Sequence, residues 1–505
     1  MEKQCKQKST FLTMAKLFLF AIGGTGSRVV KALTMLLASG VELRNVDRVV
    51  PIIIDPDTSN GDLTRTVDIL KTYKEIREKT HSEESGFFKT KIRSLDELGD
   101  GGFVSDNFRF DIDGVKEQLF KEFIGYSELE RNSRAFISLL FSKPNLDADM
   151  DMGFLGNPNI GSVVLNKFKG SDSFLKFAGN FEQEDRVFII SSIFGGTGAA
   201  GFPLILKNIR DAKHPTPHHS FLRDAKIGAV TVLPYFAIRQ NDETTIDSNR
   251  FISKTKAALS YYSRNVSGNG AINALYYIGD QVTNEQEGAD GSNKQRNRAH
   301  FIELGAALSI VDFMDLDDAD LFVSGGRASD PKFFEFGLQH ESSAIHFGDL
   351  AKETYDVIAR PLTRYTLFQS LMENHYEELC RNKNEAWLYH GNNKLSEEAL
   401  DSRLRRSLGI FNKHFREWLE EMANSNVAFR ALDASLAGKD IYNPVTGKPA
   451  KKDFFKRLSD GAHLHHYRSV LSKLSSDFDH LNPARKLVAL FTHATKDITE
   501  KEIKL

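Results

Sequence analysis

Short apolar runs alternate, along the first two-thirds of the chain, with stretches whose apolar residues recur at helical spacing. Lys16 to Ile22 reads Lys-Leu-Phe-Leu-Phe-Ala-Ile, an unbroken run leading into glycines, and predicts a central strand. From Ser27 to Leu37 the positions Val29, Val30, Leu33, Leu36 and Leu37 share one face, which predicts a helix. Val49–Ile54 predicts a second strand, stopped by the turn formers of Asp55-Pro-Asp-Thr-Ser-Asn-Gly61. Further strands are expected at Val187–Ser191, Ile227–Leu233 and Ala274–Ile278, and helices at Phe202–Ala212, Asp247–Tyr262 and Arg298–Phe313. Pro203 would then fall in a first helical turn, where its missing amide costs little. Strands alternating with helices predict an α/β fold, a mostly parallel sheet covered on both faces.

The pattern changes near residue 330. From Phe347 onward it is helical almost throughout, broken near 391–395 and by the turn Asn443-Pro-Val-Thr-Gly447. Residues of about 65–150 are charged and irregular and read as a partly helical insertion. The expected division is a leader at 1–15, an α/β domain at 16–330 carrying that insertion, and a mostly α-helical domain at 331–505. A chain of 505 residues exceeds what one core usually supports, in keeping with two packed units.

Composition removes several function classes. Lys plus Arg (66) against Asp plus Glu (68) leaves a net charge of −2, so there is no global pull toward nucleic acid or an anionic membrane, and any polyanion must be held locally. No stretch reaches the ~18 apolar residues of a membrane span. Cys5 and Cys380 fit no metal or redox spacing, which points to a reducing, cytoplasmic setting. His463, His465 and His466 cluster without an accompanying carboxylate or cysteine pattern and read as a polar helix surface rather than a metal site.

Candidate chemistry centres on two glycine loops, Gly23-Gly-Thr-Gly-Ser27 and Gly195-Gly-Thr-Gly-Ala-Ala-Gly201, each between a predicted strand and a predicted helix. Glycine lets backbone approach a phosphate closely, and amides at a helix start present positive charge to it. A tight turn needing positive φ explains many single loops of this kind; two on parallel strands are harder to assign to turns alone. The first loop lacks the dinucleotide spacing Gly-x-Gly-x-x-Gly, and neither loop contains a Walker Gly-Lys-Ser/Thr.

Taken in order, these loops and three other segments resemble the tubulin/FtsZ superfamily across residues of about 16–315. Gly195 to Gly201 is similar to the tubulin signature loop and Gly23 to Gly26 to the first phosphate loop. Asp55-Pro-Asp57, Gly156-Asn-Pro-Asn-Ile-Gly161 and Val232-Leu-Pro-Tyr-Phe236 are similar to the family's metal-side acid segment, terminal-phosphate loop and ribose segment. The resemblance implies a purine nucleotide, GTP in the family, with Mg²⁺. Gly23, Gly24, Thr25, Gly26, Gly195, Gly196, Thr197 and Gly198 would then supply amides to its phosphates. Asp57 would hold a water of the Mg²⁺ ion, or alternatively initiate a turn beside Pro56. Asn157 and Gly161 would close over the γ-phosphate, or form a plain Asn-Pro turn. Arg250 would lie near the nucleotide, or be a solvated helix charge. The base would lie by Asn297 and His300, where the family's own base-reading residues are replaced, so another purine stays open, as does a structural role for His300. Asp315 and Asp318, in the acidic stretch 312–320, would orient a water in the next subunit's site, or belong to a solvated helix end.

Three functions follow. The first is a prokaryotic-type, tubulin-like nucleotide-binding protein that self-associates head to tail with slow GTP hydrolysis. The second is a non-polymerising switch or scaffold acting on a protein partner through its helical part, for example in phage defence. The third is a Rossmann-type enzyme using NAD or a methyl donor, with Asp55 or Asp57 on a ribose.

Overall fold

The computed structural model describes residues 15–99, 105–112, 115, 118–150, 154, 157–235, 237–239, 248–280, 285–287, 297–335, 344–425, 427–434, 441–447 and 460–505. Its centre is a seven-stranded sheet of β1 (Ala15–Ile22), β2 (Val46–Ile54), β3 (Lys91–Ile92), β4 (Arg186–Ser192), β5 (Lys226–Val232), β6 (Ala274–Ile278) and β7 (Lys332–Glu335). The strands lie in the order β7-β6-β5-β4-β1-β2-β3, and every neighbouring pair is parallel. Strands β1 and β4 are adjacent, with Phe18 opposite Val187 and Ala21 opposite Ile190. The chain runs outward from β1 to β2 and β3 on one side and from β4 onward on the other, so their carboxyl ends form the switch point where ligands of open α/β sheets bind.

The central strands β1, β4 and β5 bury both faces, as their unbroken apolar runs require, while the edge strand β7 leaves Phe333 exposed. Leu17, Leu19 and Ala21 join one core; Phe18, Phe20 and Ile22 join the other. The second core is covered by α3 (Pro158–Leu165), α4 (Gly196–Arg210), α5 (Ser248–Tyr262) and the short helix Asp172–Gly179, with the Phe18 and Phe20 rings each 5.0 Å from that of Phe177. The first is covered by α1 (Gly23–Ala38), α2 (Gly61–Thr80) and α6 (Phe301–Asp315). The same core continues without a break into α7 (Lys352–Asn374), α8 (Ser402–Ala423), α9 (Asp460–Leu474) and α10 (Pro483–Ile498). At the junction the Phe88 ring lies 5.3 Å from Tyr73, 5.8 Å from Tyr365 and 5.2 Å from Phe411.

Several boundaries differ from the sequence expectation. Strand β7 joins the sheet just beyond residue 330. Helix α2 spans much of the first part of the expected insertion and is a core element, with Leu63, Val67, Leu70, Tyr73 and Ile76 buried. Its pattern is hard to read because Asp62, Arg65 and Lys74 are buried with them. Helices α1 and α4 begin at Gly23 and Gly196, earlier than expected, because the glycines are themselves the first helical turns.

Pro203 consequently lies inside α4, not in its first turn. It has no amide for the carbonyl of Ala199, and the Tyr262 hydroxyl donates to that carbonyl instead, at 3.3 Å. Tyr262→Phe is expected to cost about 1–3 kcal/mol by leaving a buried acceptor unmet, and adding Pro203→Ala should recover most of it. Urea unfolding of the two variants checks this; an unchanged midpoint for Tyr262→Phe would show that the bond contributes nothing.

Candidate functional site

The first four N–H groups of a helix have no partner within it. At several other helix starts they are met by side chains: Asn60 caps α2, Asn157 caps α3, His300 caps α6 and Asp401 caps α8, whereas α7 starts without a side-chain cap. Helices α1 and α4 have no side-chain cap and no acid in the first turn. Their bare ends rise from neighbouring parallel strands, Gly23-Gly-Thr-Gly26 from β1 and Gly196-Thr-Gly-Ala199 from β4. Gly23 has φ +70°, and a Cβ built on it would stand 3.6 Å from the Thr197 Cβ, so the two loops meet.

Glycine is enforced by packing as well as by φ. A Cβ on Gly26 would stand 2.6 Å from the Ala21 carbonyl carbon, and one on Gly198 would stand 2.5 Å from the Ser192 oxygen and 2.8 Å from its nitrogen. Those contacts are with strand backbone, which cannot rotate aside. The third segment arrives through α3: a Cβ on Gly161 would meet the Ala200 Cβ at 2.9 Å and the Gly196 oxygen at 3.0 Å. The side chain of Asn157 accepts from the amide of Asn159 at 3.0 Å.

At the end of β2, Asp57 is buried and accepts from the amide and hydroxyl of Ser59 at 3.0 and 2.7 Å. Asp55 accepts from the amide of Asp57 at 3.1 Å. Burial, reinforced by the Asp57 charge, pushes the Asp55 carboxyl up to about 8. Among the described residues no group of three or more His, Cys, Asp or Glu is placed to hold a metal ion. A magnesium ion bound to one or two carboxylates and the phosphates of a ligand fits this donor set; an all-protein cage does not.

Beneath the loops lies a buried charge network that the motif reading missed. Arg28, one turn into α1, donates from Nε to Glu303 Oε1 at 2.5 Å, from Nη1 to Asp62 Oδ2 at 2.7 Å and from Nη2 to the Tyr235 hydroxyl at 2.7 Å and Thr25 Oγ1 at 3.3 Å. Burial alone would weaken its charge; Tyr235, Glu303 and Asp62 reverse this and hold the guanidinium firmly protonated. Asp62 also accepts from the backbone amide of Asn297 at 3.0 Å and from its side chain at 2.9 Å. Glu421, from α8, takes both oxygens to Arg65 Nη2 at 2.7 Å, accepts from the amide of Ala299 at 2.8 Å and stands 3.5 Å from Lys31 Nζ. Burial would raise the Glu421 carboxyl, but Lys31 and Arg65 more than offset it. A sequence signal existed: Arg28, Lys31 and Glu303 interrupt otherwise apolar helices.

His300 is buried, and burial holds its ring neutral. Its Nδ1 accepts from the amide of Ile302 at 3.1 Å, capping α6, and Nε2 lies 3.9 Å from Asp280 Oδ2. The start of α6, with Asn297 and His300, thus stands at the loop edge. Arg250 lies in α5, its side chain outside the described residues. Asp315 and Asp318 sit at the other end of α6, whose 15 residues span roughly 22 Å at about 1.5 Å each. Asp318 accepts from Arg186 and Lys226, the first residues of β4 and β5, at 2.8 Å each, which places it at the amino edge of the sheet. Asp315 pairs with Arg44 at 3.2 Å. Neither acid reaches the glycine loops of its own chain.

A single dinucleotide loop would leave Gly195–Gly201 without a role, whereas here the two uncapped glycine turns face each other on β1 and β4, with α6 crossing from edge to edge. This is a seven-stranded parallel α/β fold of the kind that the tubulin/FtsZ resemblance implies. No family model and no curated protein matches this chain. Among solved structures it is similar to CetZ2 from Haloferax volcanii, a GTPγS-bound protofilament, at 11% identity and TM-score 0.28, covering 60% of each chain. It is also similar to the Clostridium botulinum phage c-st TubZ, at 15% identity and TM-score 0.26, covering 69% of this chain and 76% of that one. CetZ from Methanosaeta thermophila aligns at 12% identity and TM-score 0.22 over 52% of its own length. The fold assignment rests on strand order and loop placement, not on these scores. No helix among the described residues is long and apolar enough to cross a membrane.

Proposed function

We propose that the tubulin-like chain binds a purine nucleotide, GTP before others, with its phosphates between the two glycine turns. The observation that carries this is the pair of adjacent, uncapped helix starts that close packing keeps free of side chains. Two sets of oriented amides at positive helix ends suit several phosphate charges. Thr25, Thr197, Gly24 and Gly195 complete those turns, Gly161 and Asn157 flank the second, and Asp57 holds Mg²⁺ against the phosphates. Asn297 and His300 frame the base at the start of α6, and Arg250 reaches the nucleotide from α5.

Head-to-tail self-association is the assembly this arrangement favours, since the loops and the acids Asp315 and Asp318 occupy opposite edges of the sheet. Of the two acids, Asp315 is the better hydrolytic residue; Asp318 is engaged by two cations. That engagement also favours a second role, a nucleotide-dependent switch in which the helical part acts on a protein partner.

Purified protein is expected to bind GTP with Mg²⁺ in titration calorimetry and to pellet in a nucleotide-dependent way. Asp315→Ala should leave binding intact while lowering turnover in the assembled state by about a hundredfold. Nucleotide binding without any pelleting would favour the switch. Recovery of NAD alone from the purified protein, with no purine di- or triphosphate, would overturn the proposal.

A further inference from the structure

We propose that Glu421, near the end of α8, is a positioning residue through which the helical part sets the nucleotide affinity of the loop edge; this rests on the nucleotide-binding function proposed above. Helices α2 and α8 run side by side and are pinned along their length by Lys79 to Asp401 at 2.9 Å, Ser407 to Glu75 at 2.8 Å and Arg65 to Glu421 at 2.7 Å. The first two pins only join α2 to α8. The third goes further, because the Glu421 carboxylate also accepts from the amide of Ala299 and faces Lys31.

Ala299 lies between Asn297, held by Asp62, and His300, the cap of α6. The start of α6 is therefore held by two carboxylates, Asp62 from α2 and Glu421 from α8. Lys31 stands on α1, about one turn beyond the glycine loop, and its side chain is 2% exposed. It has an anion beside it because α8 supplies one: burial, then the neighbouring Arg65, disfavours its charge, and Glu421 is the largest opposing influence. One side chain of the helical part thus touches the frame of both phosphate-side and base-side segments. A ligand that orders those segments must then also bias α8, since coupling between two sites is reciprocal.

The test uses the full chain and Glu421→Gln, which keeps the shape and removes the charge. GTP·Mg²⁺ affinity, by calorimetry, is expected to fall about tenfold, within the usual range of coupling between sites. Hydrogen exchange in 402–423, slowed by saturating nucleotide in the parent, should no longer respond in the variant, and Glu421→Asp should restore part of both. Glu75→Gln, at the far end of the α2–α8 pair, should lower stability without changing affinity, which separates positioning from general support. If Glu421→Gln does not fold, Lys31→Met and Arg65→Gln with Glu421→Gln remove the three buried charges together and the variant is read in the same way. Parent binding with unchanged affinity and unchanged exchange response in the variant overturns the role of Glu421 alone; a parent that binds no nucleotide overturns the function proposal and this inference with it.

Discussion

Replacing Arg28 by methionine is expected to lower the unfolding free energy by about 3–5 kcal/mol, the cost of removing one partner from a buried ionic group. The side chains of Arg28, Asp62 and Glu303 are 3%, 2% and 1% exposed, so neither acid can turn to water when the guanidinium is gone. Tyr235 would lose the bond from Arg28, and burial together with Glu303 already holds its hydroxyl protonated against the pull of Arg28. Glu303→Gln added to Arg28→Met should return part of the loss. Urea unfolding is the measurement, and a deficit under about 1 kcal/mol, the size of an exposed pair, would show that the network carries no special weight.

Gly198→Ala is expected to weaken GTP·Mg²⁺ binding by about a hundredfold or more. The new methyl would overlap the backbone of Ser192, at 2.5 Å from its oxygen, so the turn must lift off the strand. Two misdirected amides, at about 1.5–3 kcal/mol each for bonds to a charged group, account for that factor. Gly409→Ala, in α8, is the control: its methyl meets nothing within 4 Å, and it should raise stability by about 0.5–1 kcal/mol without touching affinity. Calorimetric titration of both variants decides the matter, and parent-like affinity in Gly198→Ala would separate this turn from the ligand.

Much of the scaffold was readable before any coordinates. The strands at 16–22, 49–54, 187–191 and 274–278 lie within or match observed strands because fully buried parallel strands are written as uninterrupted apolar runs. The convergence of the two glycine loops followed from the same alternation of strand and helix. What stayed hidden was long-range and ionic. Arg28 finds Glu303 at a separation of 275 residues, and Arg65 finds Glu421 at 356. No periodicity encodes such pairs, and a charge on a helix reads by default as solvated. Helix α2 was obscured for the same reason: its buried Asp62, Arg65 and Lys74 look like surface positions until their partners are known. Pro203 was misplaced because a glycine turn that coils directly into a helix leaves no mark of where the helix begins.

The unbroken core under α1 and α2 has a further meaning. The change in pattern near residue 330 marks a change in the style of secondary structure, but Phe88, Tyr365 and Phe411 belong to one apolar mass on both sides of it. A cut there would not release two smaller proteins; it would strip one wall from each. A shared core of this kind couples the far helices to the edge where the glycines lie.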